Sequence, residues 1–374
     1  MPLATMDDGP LTTDQRFMRR ALRLATLSLG MTWPNPGVGC VLVRDGVEIG
    51  AGRHRVCGER HAETAAIADC RARGHDPAGA TAYVTLAPCT RHGRQPPCVD
   101  ALRAARVARV VAAIADPVQD DAGAALAAAG IAYAVGVEAD RARHLHGGFL
   151  ARLASGMPRI TGKWAMTLDG SIATAGGDSR WISSPAALAL SRRRRRAFDA
   201  IVVGMGTARR DDPTLAATRP RLHGVVNGPL RVVVGARGDL DPGAKLVASA
   251  REQPVLVVCA EPPSAAIARR LGAAGVELAP LADPHDALAV ARELGRRGLN
   301  EVLIEGGAHL HAAFLGAGLY TRLEIYLGAT TLGGGLPVAA GLGAALIADG
   351  QRWEPEEPPR LLGSTTLLRL RRLS

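Results

Sequence analysis

His61, Cys89 and Cys98 are the residues of this 374-residue chain whose types and order point most directly to chemistry. One imidazole and two thiolates fill three corners of a zinc tetrahedron and leave the fourth for water, which is the arrangement of a catalytic site. Glu63 follows two residues after His61 and stands where a carboxylate can carry a proton from that water to a leaving amine. His61-Ala62-Glu63 opens an expected helix, Pro88-Cys89 follows an expected strand, and Cys98 begins a helix behind Pro96-Pro97. The positive end of a helix dipole favours a thiolate at such a place.

The H-x-E element followed by P-C and a second Cys is the general signature of zinc nucleobase deaminases, although there two residues separate the cysteines. Here eight separate Cys89 from Cys98. Cys40, Cys57, Cys70 and Cys259 have no partner at ligand spacing and are expected to be small buried hydrophobes.

The second half offers a different chemistry. An apolar strand at 199–203 runs into Gly204-Met205-Gly206-Thr207, and Val302-Leu303-Ile304 runs into Glu305-Gly306-Gly307 before a helix at 308–316. Strand-to-glycine turns let backbone amides approach a phosphate, and the Thr207 hydroxyl can add a hydrogen bond. The third glycine of the Rossmann pattern is absent, because position 209 is Arg. Arg192 to Arg196 form a run of five arginines. On a helix, five neighbours point in every direction, so a charged face is favoured over a nucleic-acid stripe.

These residues must be carried by elements. Apolar spacing predicts helices over 14–30, 61–73, 121–129, 185–197 and 286–295. Strands are predicted at 38–43 and 47–50 around an Asp45-Gly46 turn, then at 81–86, 107–114 and 131–135. After a break over 136–158, where arginines and Gly156-Met157-Pro158 interrupt the rhythm, strands return at 159–165, 199–203, 231–235, 254–258, 301–305 and 323–327. The alternation implies two α/β domains, 1–152 and 153–374.

Composition bounds the rest. With 47% apolar and 21% charged residues the chain can build packed cores, which excludes a disordered or collagen-like protein. The net charge of +10 is almost all arginine, with lysine only at 163 and 245, and suits an anionic partner of either kind, nucleic acid or phosphorylated small molecule. No run approaches the roughly 18 apolar residues needed to span a bilayer and no secretory pattern opens the chain, so a cytoplasmic protein without a membrane partner is expected.

Taken together, Asn35-Pro36-Gly37-Val38-Gly39, Gly52-Arg53-His54, His61-Ala62-Glu63 and the stretch from Thr85 to Cys98 resemble the bifunctional deaminase/reductase of riboflavin biosynthesis. The resemblance continues through Gly162 to Ala173, Gly177 to Ile182, Asp199 to Thr207, Asp211-Asp212-Pro213 and Glu305-Gly306-Gly307, nearly the whole chain. It implies an N-terminal cytidine-deaminase-like α/β/α domain and a C-terminal α/β domain similar to dihydrofolate reductase. By position it implies zinc on His61, Cys89 and Cys98, Glu63 as proton shuttle, and the pyrimidine against Asn35 and His54. It also implies NADPH against Ala165, Trp181, Thr207, Asp211 and Gly307, and the phosphorylated substrate of the reductase against Lys163, Asp169, Ser179, Arg195, Leu215 and Glu305.

The chain departs from that family at Ala87, Arg91 and Gln95, where Glu, His and Thr are usual, and at Arg219, one residue late after Asp-Asp-Pro. Two other readings stand beside the two-step enzyme. One is the same scaffold serving a related pyrimidine metabolite or keeping a single activity. The other is a polynucleotide-editing deaminase, disfavoured because aromatic residues, at 3%, are too sparse to stack bases. A homo-oligomer is expected of a metabolic enzyme of this kind.

Overall fold

The computed structural model describes residues 10–119, 121–217 and 228–373, so Arg219 lies outside the described residues. The chain parts into two compact units between Leu153 and Ala154. No helix among the described residues is long and apolar enough to cross a membrane.

In the first unit, Thr12 accepts from the Gln15 amide and Gln15 accepts from the Thr12 amide, a capping box that starts α1 (Thr13–Thr26). Strands β1 (Gly39–Arg44) and β2 (Val47–Arg53) pair through Asp45 and Gly46, whose φ values of 52° and 75° are those of a tight hairpin turn. There follow α2 (Ala62–Ala72), β3 (Thr81–Val84), α3 (Cys98–Ala104), β4 (Arg109–Ala112), α4 (Ala122–Ala128) and β5 (Ala132–Val135). The expected break after residue 136 is instead helical, as α5 (Ala139–Leu145) and α6 (Gly147–Ser155). The arginines that suggested a break pair locally, Arg141 with Glu138 and Arg143 with Asp140, while Ala142 and Phe149 are buried.

The five strands run in the order β2-β1-β3-β4-β5, with the last two pairings parallel. Alternate residues serve opposite faces. Leu42, Val84 and Val110 join Ala66, Leu102 and Leu126 from α2, α3 and α4, whereas Val41, Tyr83 and Val111 join Phe17 and Met18 from α1. Gly52 sets how closely α2 can lie on the sheet, since a Cβ there would come 2.3 Å from the Ala66 nitrogen. That contact places the amino end of α2, and with it His61 and Glu63.

The second unit contains β6 (Arg159–Met166), β7 (Ser171–Thr174), α7 (Pro185–Arg194) extended by a 3-10 turn at Arg195–Ala197, β8 (Ala200–Gly204), α8 (Met205–Asp211), β9 (Leu230–Val234), α9 (Lys245–Ala248) and β10 (Val255–Cys259). It continues with α10 (Ala265–Ala274), β11 (Val276–Pro280), α11 (Ala287–Arg296), β12 (Glu301–Gly306), α12 (Ala308–Gly316), β13 (Tyr320–Gly328), β14 (Gly335–Pro337), β15 (Trp353–Pro355), β16 (Arg360–Leu362) and β17 (Thr365–Arg372). The main sheet has the order β11-β10-β9-β8-β12-β6-β13-β17-β15, with β16 also on β17. It is parallel from β11 to β13 and antiparallel beyond. Parallel order brings the carboxyl ends of β8 and β12 side by side, the usual place for a ligand in such sheets. The glycine turn expected after β8 is the start of α8 instead, with Gly204 as its N-cap.

Candidate active sites

His61 caps α2, so its ring stands at the mouth of the first unit's helix layer. Its Nδ1 lies 3.6 Å from Cys89 Sγ and 3.4 Å from Cys98 Sγ, and the three ligand atoms all fall within 4.8 Å of one another. Zinc bonds of about 2.0 Å to nitrogen and 2.3 Å to sulfur, at tetrahedral angles, require a nitrogen-to-sulfur distance of about 3.5 Å. The donor set therefore fits zinc in type and in spacing, and it is the one such cluster among the described residues. The Cys98 thiol and its backbone N–H, 3.2 Å away, both donate to Cys89 Sγ, which holds the Cys89 thiol down to about 4. Cys98 is pushed up by the same neighbour, and the hydrogen bond to Cys89 raises His61.

Glu63 lies in the first turn of α2 and is 3% exposed. Burial pushes its carboxyl up to about 7, with the Cys89 sulfur adding to the effect. A carboxyl near half-protonation at neutral pH can both accept and return a proton. It opens into a cavity of about 530 Å³ shared with Asn35, His54, His61 and Cys89. His54, which could have been a solvent-facing side chain, is buried. Its Nδ1 donates to the Arg60 carbonyl at 3.0 Å, so Nε2 is the acceptor for the Asn35 amide at 3.3 Å. Burial lowers the His54 pKa and keeps the ring neutral.

The three departures from the family pattern, Ala87, Arg91 and Gln95, line this same cavity. Gln95 Nε2 donates to the Gly58 carbonyl at 3.0 Å, while Arg91 is exposed. Cys57 is a correction. It is half-buried rather than buried, because it sits in the loop after β2 on the cavity wall, where Arg94 Nη1 donates to its sulfur at 3.3 Å. Cys40, Cys70 and Cys259 are buried as expected. Sequence reasoning passed over Gln119, which also lines the cavity. It lies in a turn after β4 without a motif to mark it.

In the second unit, Arg195 meets Glu305 at the end of β12 as a fork, Nε to Oε1 at 2.8 Å and Nη2 to Oε2 at 2.7 Å. Their side chains are 15% and 5% exposed. Burial alone would raise the Glu305 pKa, but Arg195 and then Lys163 hold it below the ordinary value. Lys163 projects from β6 with Nζ 5.5 Å from the centre of the Tyr326 ring, and Ala165 stands opposite Tyr326 in the β6–β13 register. Arg195 and Leu215 line a second cavity of about 670 Å³ together with Arg192, Arg193 and Arg196. The arginine run is no stripe, since Arg194 pairs with Glu324 and Arg195 with Glu305, while the other three are exposed.

At the adjoining ends of β8 and β12, Thr207 faces Gly306 and Gly307. A Cβ on Gly307 would come 3.3 Å from Thr207 Oγ1, and Gly307 has a φ of 96°. The helix it caps, α12, has no side-chain cap, so its first amides are open to an anion. Such a cradle has the chemistry to receive a phosphate group. Ser179 and Trp181 are exposed neighbours of Arg180, which pairs with Asp211 at 3.7 Å. Asp169 is otherwise engaged. Its carboxylate accepts from Thr167 Oγ1 and from the amides of Leu332 and Gly333, at 3.1 and 2.7 Å, and so fastens the loop before β14.

Comparison with known proteins bears on both units. Residues 11–114 match the cytidine and deoxycytidylate deaminase zinc-binding region, and residues 158–349 match the RibD C-terminal domain. The riboflavin biosynthesis protein RibD of Escherichia coli K12 is 36% identical over 345 residues, 86% of this chain and 89% of that protein. Among solved structures, Acinetobacter baumannii RibD aligns with a TM-score of 0.84 at 34% identity, over 97% of this chain and 99% of its own. The diaminohydroxyphosphoribosylaminopyrimidine deaminase/5-amino-6-(5-phosphoribosylamino)uracil reductase of Thermotoga maritima aligns with a TM-score of 0.82 at 30% identity, over 96% and 99%.

Proposed function

This chain belongs to the RibD family of bifunctional deaminase/reductases of riboflavin biosynthesis, and we propose from that premise what each half does. The domain at 1–152 hydrolytically deaminates 2,5-diamino-6-(5-phosphoribosylamino)pyrimidin-4-one. The domain at 153–374 then reduces the ribosyl group of the product to ribityl. The reading supposes a cytoplasmic homo-oligomer and needs no nucleic acid or membrane.

His61, Cys89 and Cys98 would hold the metal. When bound, zinc supplies the Lewis acidity that makes water nucleophilic at neutral pH. Glu63 takes a proton from the incoming water and delivers it to the departing amine, a role suited to a carboxyl pushed up to about 7. Neutral His54 and Asn35 orient the pyrimidine.

In the reductase domain NADPH supplies the hydride. Thr207 and Gly307 would receive its diphosphate, with Ala165, Trp181 and Asp211 along the rest of the cofactor. Lys163, Ser179, Arg195, Leu215 and Glu305 would hold the substrate, with Asp169, expected among them, serving instead to fasten the loop before β14. Arg195 commits Nε and Nη2 to Glu305, so Nη1, with one long bond of 3.5 Å to the Ala216 carbonyl, is the nitrogen a sugar phosphate would meet. Fixing the phosphate orients the sugar carbon for transfer.

The observation that carries this reading is the His61–Cys89–Cys98 cluster with the buried carboxyl of Glu63 beside it. Metal analysis combined with a two-substrate assay tests it. The expected result is bound zinc, ammonia released from the diamino compound, and NADPH oxidised when the deaminated compound is supplied. A protein that turns over only the deaminated compound would retain the reductase alone. Because Ala87, Arg91 and Gln95 all line the deaminase cavity, a related pyrimidine is the second reading, and turnover of neither compound would favour it.

A further inference from the structure

Two of the three metal-binding side chains stand at the ends of one loop, and the two ends are fixed differently. Cys98 is the first residue of α3, so helical hydrogen bonding sets its backbone. Cys89 itself lies in no helix or strand, and the start of α3 holds it only from one side, through the Val99 amide on its carbonyl at 3.4 Å and the Cys98 amide on its sulfur at 3.2 Å. It lies in irregular chain after β3, followed by Thr90 and Arg91, whose amides no helix or strand uses. Both amides instead point at a single atom, Gln119 Oε1, at 3.2 and 3.3 Å, and the Thr90 hydroxyl lies 3.5 Å from the same oxygen.

Gln119 reaches this place through the topology of the sheet. β3 and β4 are parallel neighbours, so the loops that leave their carboxyl ends emerge together. In the loop after β4, Asp116 Oδ1 accepts from the Val118 amide at 3.0 Å and closes a turn that presents the next residue, Gln119. The remainder of the Cys89–Cys98 loop is tied elsewhere, through Gln95 to Gly58 and Arg94 to Cys57. Gln119 is thus the side chain that fastens the two peptides following Cys89.

We propose that Gln119 is a positioning residue of the metal centre, its side-chain oxygen fixing the Thr90 and Arg91 peptides and thereby aiming the Cys89 sulfur at the ion. The inference rests on the zinc reading above. Such outer supports of metal ligands typically govern metal affinity by 10- to 100-fold.

Two variants test it. Gln119→Met keeps the length of the side chain and removes the acceptor, whereas Gln119→Glu keeps an acceptor oxygen. Hydrogen exchange over residues 88–93 is followed in the zinc-free protein, and zinc retention is measured by competition with a chromogenic chelator. Gln119→Met should exchange faster over this segment and hold zinc at least about 10-fold less tightly. Gln119→Glu should recover most of both properties, and NADPH-dependent reduction should be unchanged in both variants. Parent-like exchange and zinc retention in Gln119→Met would overturn the proposal, as would equal losses in the two variants, which would mark a purely structural side chain. A parent protein that itself retains no zinc would instead defeat the zinc reading, a result the chelator competition reports separately.

Discussion

Glu63 and Glu305 have equally enclosed carboxyls and opposite behaviour. Glu63 is pushed up to about 7 because burial is opposed by little, its near neighbours including the Cys89 sulfur. Glu305 is held below its ordinary value because Arg195 forks onto it and Lys163 stands near. Burial alone does not decide the charge of a carboxylate; the facing partner does. The same contrast runs through the two sites. In the first unit an imidazole nitrogen and two sulfurs face one another and would become mutually compatible around a cation, while in the second the charged groups already satisfy one another.

The largest effect that would sharpen this contrast is expected from Glu63→Gln. Removing the proton carrier should lower deamination by about 10²- to 10⁴-fold. Metal analysis should find zinc retained, and the reductase assay should be unaffected. Loss of both activities together would break the picture of two independent sites.

Next comes Arg195→Ala, which strands Glu305 in a buried position. Breaking one side of such a pair costs about 3–5 kcal/mol. A lowered Tm and a raised KM for the phosphorylated substrate should follow. A Tm loss with unchanged KM would leave Arg195 in the architecture and take it out of the substrate site.

Gly307→Ala should be milder, since a side chain at a φ of 96° and 3.3 Å from Thr207 is strained and crowds the cradle. Strain of this kind costs about 1–3 kcal/mol. NADPH titration should show weaker binding with deamination intact, whereas unchanged binding would move the diphosphate away from β12.

The smallest effect concerns acid. The native pKa of Glu305 lies below its ordinary value of 4.5, so its contribution to stability is complete above about pH 4.5 and is lost as pH falls through the lower native value. Melting curves of the parent should therefore decline more between about pH 5 and about pH 3 than those of Glu305→Gln. Parallel curves would mean that the Arg195–Glu305 pair adds no pH-dependent stability.

Much of the first unit was legible because its signals are local. The Asp45-Gly46 turn, the helix carrying Glu63 and the helix beginning at Cys98 all follow from residue types and spacing. The helices at 139–155 were not, because their arginines look like an interruption until Glu138 and Asp140 are seen to neutralise them. In the second unit β7, α10 and the closing strands β14 to β17 went unread. β17 alternates leucine and arginine over 368–371, and its Arg369 and Arg371 are accommodated by Glu324 of β13, Glu354 of β15, and Glu356 and Glu357 just after β15. Periodicity cannot anticipate an ion-pair network assembled over long sequence separations.

From its sequence alone this protein had its donor atoms, their order along the chain and the glycines that let backbone come close, because these are properties of single residues and short spacings. Folding decided which donors meet and in what state of charge. Asp169 is turned to the loop amides, Arg195 is matched to Glu305, and Gln119 is brought beneath Cys89 by the parallel pairing of β3 with β4. The reason is that electrostatic and hydrogen-bond energies depend on distances of a few ångströms between groups that lie far apart in the chain.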